Sequence, residues 1–380
     1  MIGERGAAVD PRYASVAAAV RERAADLRAL SHRIHARPEL AFAEHRAAGW
    51  CAELLAGAGF AVTGGAWDLP TAFDARRGGG PTTVAFCAEY DALPRIGHAC
   101  GHNLIAAAAV GAGLALSDVA DAAGLTVRVI GTPAEESGGG KAHLLDAGAF
   151  AGVDAAMMVH AGPQEVARFA SFAHRALAAR FVGARADAAA EAVSALVDAL
   201  DARGPAGTRL RTTERPWGLD AAPPHLRPAL PVRPGPARWV HAEARAADEP
   251  TLAGLTDGLR GVLHAAADEA GCALDVVDAE PPYRPFRTDD ALAAAWARHA
   301  AALGRPAPAD PGPFAMTDMG NVSHAVPAIH PMLALGDGTV TPHDPAFADL
   351  VVTPQADATI LDAATAMAWT ALDVAAGRAA

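Results

Sequence analysis

The chain has 380 residues, 43 acidic against 31 basic side chains for a net charge of −12, and a hydrophobic fraction of 52%. This length predicts two or three domains with a sizeable core, and the acidic balance without a basic block excludes nucleic acid and anionic membranes as expected partners. The opening MIGERGAAVDPRY lacks the basic and apolar regions of a signal peptide, no uncharged apolar run reaches the ~18 residues of a membrane span, and four scattered cysteines (Cys51, Cys87, Cys100, Cys272) do not form a disulfide scaffold. The expectation is a soluble cytoplasmic protein in a reducing compartment.

In chain order, Ser15 is a candidate N-cap for a helix with Val16, Val20, Ala24, Leu27 and Leu30 on one face, barred from continuing by Pro38. A second helix is predicted at about 43–56, ending at Gly57 and Gly59. TTVAFCA (82–88) and LTVRVIG (125–131) read as buried strands, and the alanine-rich run between them as a helix beginning near Asn103. Strand, helix and strand at this spacing predict a βαβ unit and a parallel sheet.

From about 165 the pattern changes. A strand running to Phe181-Val182, a helix at 187–202, a strand at 208–213, a Pro-rich connection at 214–236, a strand at 237–246, a helix at 249–270 and a strand at 272–279 follow in turn. The order βαββαβ is that of a small ferredoxin-like domain. A helix at 289–303 and a long helix at about 356–377 then complete the chain. The expectation is an α/β domain (1–165 and 286–380) interrupted by an insertion at 166–285.

Four places combine metal-ligand residue types with positions after strands. In GHACGHN, Cys100 and His102 offer a thiolate and an imidazole, which suit Zn²⁺, and a position ahead of a helix favours the thiolate; the same pair also reads as an incidental thiol and imidazole. Glu135 and Glu136, directly after the 125–131 strand, repel one another unless a cation or a shared proton offsets the charge. Zinc hydrolases need one such carboxylate as ligand and another as general base, while a solvated acidic turn is the alternative. His160 ends an apolar run at the C-terminal edge of the sheet, where open α/β folds place their sites, or is a core histidine. His343 lies in the turn-rich GDGTVTPHDPAF and also reads as a surface histidine. His98 has no assigned role.

The stretches HRIHARPELAFAEHRAA (32–48), CAEYDALPRIGHACGHNLIAAAAVGA (87–112), GTPAEESGGGKAHLLDAGAFAGVDAAMMVHAGP (131–163), TDMGNVSHAVPAIHP (317–331) and TPHDPAF (341–347) resemble the M20 metallopeptidase/amidohydrolase family. The resemblance is to the branch of p-aminobenzoyl-glutamate hydrolase and the aminoacylase-1-like proteins that cleave β-alanyl dipeptides. It implies a zinc-peptidase-like α/β catalytic domain with the ferredoxin-like insertion as lid and homodimerisation module. It further implies Cys100, His102, Glu136, His160 and His343 as ligands of one or two divalent ions, Zn or Mn, and Glu135 as general base. Asp91 is implied as the carboxylate orienting a ligand, with a turn cap before Pro94 as its alternative. Asp318, Asn321 and His324 are implied as substrate-binding residues on the site's rim. The implied reaction is hydrolysis of a small N-acyl amino acid, aroyl-glutamate or dipeptide.

One departure stands out. Where the family has a histidine in G-x-x-x-H-A, this chain has GARADAA, with Asp187 at the histidine position and a shortened segment after it. An ionised aspartate cannot donate to an oxyanion. The asparagine-containing stretch that binds substrate carboxylate is also absent, its counterpart being APPHLRPAL, where His225 or Arg227 can substitute. Either the substrate is unusual, Asp187 then recognising a cationic group, or the chain is a weakly active or non-catalytic metal-binding, regulatory homologue.

Overall fold

A computed structural model describes residues 10–213, 224–227, 230–307 and 312–379. Its strands in chain order are β1 (Ala61–Gly64), β2 (Phe73–Arg77), β3 (Thr82–Ala88), β4 (Leu125–Gly131), β5 (Ala155–Met157), β6 (His160–Gly162), β7 (Ala173–Val182), β8 (Arg209–Thr213), β9 (Ala237–Ala246), β10 (Ala273–Asp278), β11 (Ala328–Ile329) and β12 (Met332–Ala334). They form a six-stranded sheet in the order β1-β2-β4-β3-β5-β11, a four-stranded sheet in the order β10-β7-β9-β8, and a two-stranded ribbon of β6 and β12.

The six-stranded sheet is covered on both faces because alternate residues of its strands belong to two different cores. Val84, Phe86 and Ala88 of β3, with Leu125, Val127 and Val129 of β4, pack into one cluster. Ala85, Cys87 and Ile130 point the other way, into a cluster with Leu144, Phe150, Met319 and Val322. The expected parallel pairing holds for β3 with β4 and β5, and for β5 with β11. The sheet as a whole is mixed, since β1 and β2 join its edge antiparallel.

The crossover helix between β3 and β4, His102–Leu116, is buried along its whole length. Its small residues permit this. A Cβ on Gly113 would lie 2.5 Å from Val129, and one on Gly111 only 2.8 Å from Leu27. The alanine bias of the sequence thus becomes close helix packing against the sheet on one side and the helix Pro354–Ala375 on the other.

At the N-terminus the expectation shifts. Asp10, not Ser15, caps the first helix, accepting from the Arg12 N–H, and the run breaks into Pro11–Glu22 and Ala24–His35 at Arg23. Pro11 at the first helical position favours this earlier start.

The four-stranded sheet falls in the chain between β6 and β11. Its pairings are all antiparallel, and its two helices, Ala186–Asp201 and Glu249–Ala270, lie on one face. That face is a third core, holding Leu177, Phe181, Val240, Ala242, Ala244, Leu259 and Leu263. The intervening residues of β9, His241, Glu243 and Arg245, face the opposite way and line a cleft shared with the loops of the larger sheet. The Pro-rich connection of 214–236 falls partly outside the described residues.

Candidate active site

The cleft measures about 1210 Å³, and Cys100, Glu135, Glu136, His160 and His343 all line it. Gly101, at φ 88°, turns the chain directly before the 102–116 helix, a conformation that favours glycine. His102 becomes the first helical residue and is fully buried behind Cys100. Its Nδ1 lies 2.8 Å from Asp91 Oδ1, which leaves Nε2 directed at the centre. His160 is oriented comparably: Nδ1 lies 2.5 Å from the Ala161 carbonyl, and Nε2 lies 3.4 Å from Cys100 Sγ. His343, held at φ 73° in its loop, brings Nε2 within 3.2 Å of Glu136 Oε2.

Donor atoms of Cys100, His102 and His160 lie within 4.8 Å of one another, and so do those of Cys100, Glu136 and His343. One sulfur therefore belongs to two ligand sets. Among the described residues, His102 Nε2 and Glu136 Oε1 are buried and make no hydrogen bond. Buried polar atoms without partners are costly, and a cation beside them satisfies both. A donor set of thiolate, imidazoles and carboxylate fits a borderline-soft divalent ion.

Burial and the neighbouring Glu136 carboxylate push the Cys100 thiol well above its ordinary range. This corrects the expectation that the helix start alone favours the thiolate; the thiol is deprotonated when a metal replaces its proton. Burial, then Glu89 and Glu136, raise Glu135 well above the usual carboxylate range, so it is not a solvated turn residue.

The loop carrying the two glutamates hangs from four carboxylates. The main-chain N–H groups of Ala134, Glu136, Gly138 and Lys141 donate to Glu44 (2.9 Å), Asp91 (2.9 Å), Glu280 (2.6 Å) and Asp318 (2.8 Å). Glu44 Oε1 also accepts from Phe42 N–H. Phe42 and Ala134 both sit at positive φ, 62° and 61°, so a single oxygen pins two left-handed residues. Behind Glu135, the buried Lys141 ammonium binds Glu89 and lies 2.7 Å from Asp318 Oδ1.

The four expected substrate contacts lie outside the lining of this cleft. Asp318 is fully buried against Lys141, where it shares the ammonium with Glu89, and does not line the cleft. Asn321 accepts from Arg284 N–H and donates to the Pro282 carbonyl, and His324 Nε2 lies 2.8 Å from the Pro285 carbonyl. Both side chains therefore brace the connecting segment that leads out of the four-stranded sheet, because their polar atoms satisfy its main chain. Asp187 is exposed at the start of its helix, 3.8 Å from Arg238, and does not line the cleft. His225 and Arg227 do not line it either. His98 is buried and neutral, pushed down to about 3 by burial and then by the His102 charge.

Sequence reasoning missed Glu44, Glu89, Lys141, Glu280, Tyr283 and the polar row of β9. Within that row Glu243 is held by His174 Nε2 at 2.8 Å and by Arg211. The Arg245 side chain is half-buried, makes no hydrogen bond or ion pair among the described residues, and is lowered by burial and then by Arg211. The alternation in ARWVHAEARA was the signal available for this row.

Burial, then the Asp91 charge, raises Glu44 to about 8 from 4.5. In the folded chain it thus binds a proton between these values that the unfolded chain has lost, and its contribution to stability falls as pH rises from about 4.5 to 8. Glu44→Gln keeps the oxygen that accepts both N–H groups and removes this titration. Thermal midpoints measured from pH 5 to 8 should fall less in the variant than in the wild type; parallel curves would refute the assignment.

A family model described as peptidase family M20/M25/M40 matches residues 85–365. The chain is 35% identical to the Xaa-Arg dipeptidase of Mus musculus over 93% of its own length and 86% of that protein. It is 37% identical to a p-aminobenzoyl-glutamate hydrolase component of Escherichia coli (strain K12), over 32% of its own length and 30% of that protein. In fold it is similar to a putative aminohydrolase from methicillin-resistant Staphylococcus aureus (TM-score 0.71, 18% identity, 95% of this chain and 99% of that one). It is also similar to a dinuclear metal-binding peptidase from Bacillus subtilis (TM-score 0.64, 20% identity, 93% and 99%). Among the described residues no helix is long and apolar enough to cross a membrane. The chain belongs to peptidase family M20/M25/M40 and is an enzyme of the amidohydrolase and dipeptidase type.

Proposed function

We propose that the protein hydrolyses the amide bond of a small N-acyl amino acid, aroyl-glutamate or dipeptide, with Cys100, His102, Glu136, His160 and His343 as ligands of two divalent ions, Zn or Mn. The observation that carries this reading is the Cys100 sulfur, shared by two ligand sets with Glu135 beside them. Bound ions supply Lewis acidity toward water and the amide carbonyl. Glu135 takes the proton of the attacking water on its carboxylate and delivers it to the leaving nitrogen. Asp91 holds His102 in the tautomer that presents Nε2. Arg245, a cleft guanidinium with no side-chain partner among the described residues, receives the carboxylate of the leaving amino acid.

The name of the murine relative supports a dipeptide with a C-terminal arginine as one member of the substrate range. Residues 166–285 act in this reading as a lid and homodimerisation module between catalytic parts 1–165 and 286–380, in a cytoplasmic setting. Asp187 then reaches a neighbouring subunit rather than its own cleft. The test is turnover by purified protein loaded separately with Zn²⁺ and Mn²⁺, on a panel of N-acetyl, N-benzoyl and p-aminobenzoyl amino acids and dipeptides including Xaa-Arg. Metal-dependent release of free amino acid is the expected outcome. Fully metal-loaded protein that cleaves nothing in the panel would refute it and favour the non-catalytic alternative.

A further inference from the structure

The two segments joining the four-stranded sheet to the rest of the chain meet beside Glu135. His174, near the start of β7, and Tyr283, five residues beyond β10, exchange both main-chain hydrogen bonds at 2.9 Å, and their rings lie edge to face at 5.5 Å. Two side chains reach from this junction into the glutamate loop. The Tyr283 hydroxyl donates to the main-chain carbonyl of Glu135 at 3.0 Å, and Glu280 Oε2 accepts the Gly138 N–H at 2.6 Å. The other oxygen of Glu280 faces His174 Nδ1 at 3.6 Å, and His174 Nε2 continues to Glu243 in the cleft wall.

These contacts add to the main-chain bonds of Gly140 to the Ala134 carbonyl and of His143 to the Gly139 carbonyl that hold the loop at this end. Gly138 and Gly139 sit at φ 110° and 62°, and a Cβ on Gly138 would come within 2.3 Å of the Phe42 ring. The segment has no side chain to anchor it and is located by what its main chain bonds to. Three of its four carboxylate acceptors, Glu44, Asp91 and Asp318, lie outside the inserted sheet and its connections. The fourth, Glu280, belongs to the junction, as does the only side-chain donor to the Glu135 carbonyl among the described residues.

We infer that Glu280 and Tyr283 are positioning residues that couple the seating of the four-stranded sheet to the placement of Glu135. This rests on Glu135 being the general base. When the sheet is seated, the junction fixes the carbonyl of Glu135 and the N–H three residues further on. When it swings away, both anchors leave together and the carboxylate loses its direction. The inserted sheet thus acts on the chemistry through the backbone beneath Glu135, in addition to any contact with substrate.

The experiment uses the metal-loaded full chain and the variants Tyr283→Phe, Glu280→Ala and Glu280→Gln, the last retaining an acceptor oxygen. Deuterium uptake of the 132–141 peptide, bound metal per chain, kcat and KM are measured together. Uptake should rise in Tyr283→Phe and Glu280→Ala and return toward wild type in Glu280→Gln. Metal content should be unchanged, and kcat should fall about tenfold to a hundredfold, the cost of misplacing a reacting group by around an ångström, with KM nearly constant. Unchanged uptake overturns the proposal. So does loss of metal, which would make these residues supports of the ligands, or a rise in KM at constant kcat, which would make them substrate contacts. If the wild type turns over no amide, the assignment of Glu135 fails on its own account. The uptake measurement then still decides whether the junction holds the loop, and unchanged uptake would again overturn it.

Discussion

Cys100→Ala should bring the metal content of the purified protein close to zero, whereas His160→Ala and His343→Ala should each leave roughly half. The expectation follows from the sharing of one sulfur: His160 stands only in the set with His102, and His343 only in the set with Glu136. Metal analysis after dialysis against a weak chelator separates the three variants. If Cys100→Ala retained as much metal as either histidine variant, the shared-ligand reading would be wrong. The same thiol sets a pH dependence. Burial and Glu136 keep it protonated at neutral pH until a metal displaces the proton, so uptake releases protons and apparent affinity rises with pH. Titration calorimetry in two buffers of different ionisation enthalpy measures that release.

Glu135→Gln should lower kcat by roughly 10²–10⁴, the range for losing a positioned proton-transfer group, while bound metal stays at the wild-type level. The substitution keeps the shape of the side chain and removes its ability to carry a proton. It also leaves the Tyr283 contact intact, because that bond is to the main-chain carbonyl. A variant retaining more than about a tenth of the wild-type rate would contradict the proton-shuttle role.

The parts of this site that were legible in the sequence are those written locally. Cys100 lies just before a helix and His102 opens it, and Glu135, Glu136 and His160 follow apolar strands, so residue type and position could be read together. The βαββαβ order was legible because its strands and helices switch periodicity cleanly. The supports were not legible, and for a physical reason. Glu44 and Ala134 are 90 residues apart, and Lys141 and Asp318 are 177 apart. A buried carboxylate that accepts a distant N–H has no periodic neighbour to betray it. Asp318, Asn321 and His324 look from their loop like rim residues, yet the main chain at 282–287 and the Lys141 ammonium claim them. The break at Arg23 was missed because the apolar face runs on across it.

The strand ARWVHAEARA writes two messages in one line. Its even-numbered residues Val240, Ala242 and Ala244 fill a core, and the odd-numbered His241, Glu243 and Arg245 furnish the cleft. Point changes at the odd positions can therefore rewrite what the protein recognises while the fold stays put, a route to new specificities by single-letter edits. Insertion or loss of one residue does the opposite, trading the two messages along the rest of the strand, so that core and recognition surface fail together.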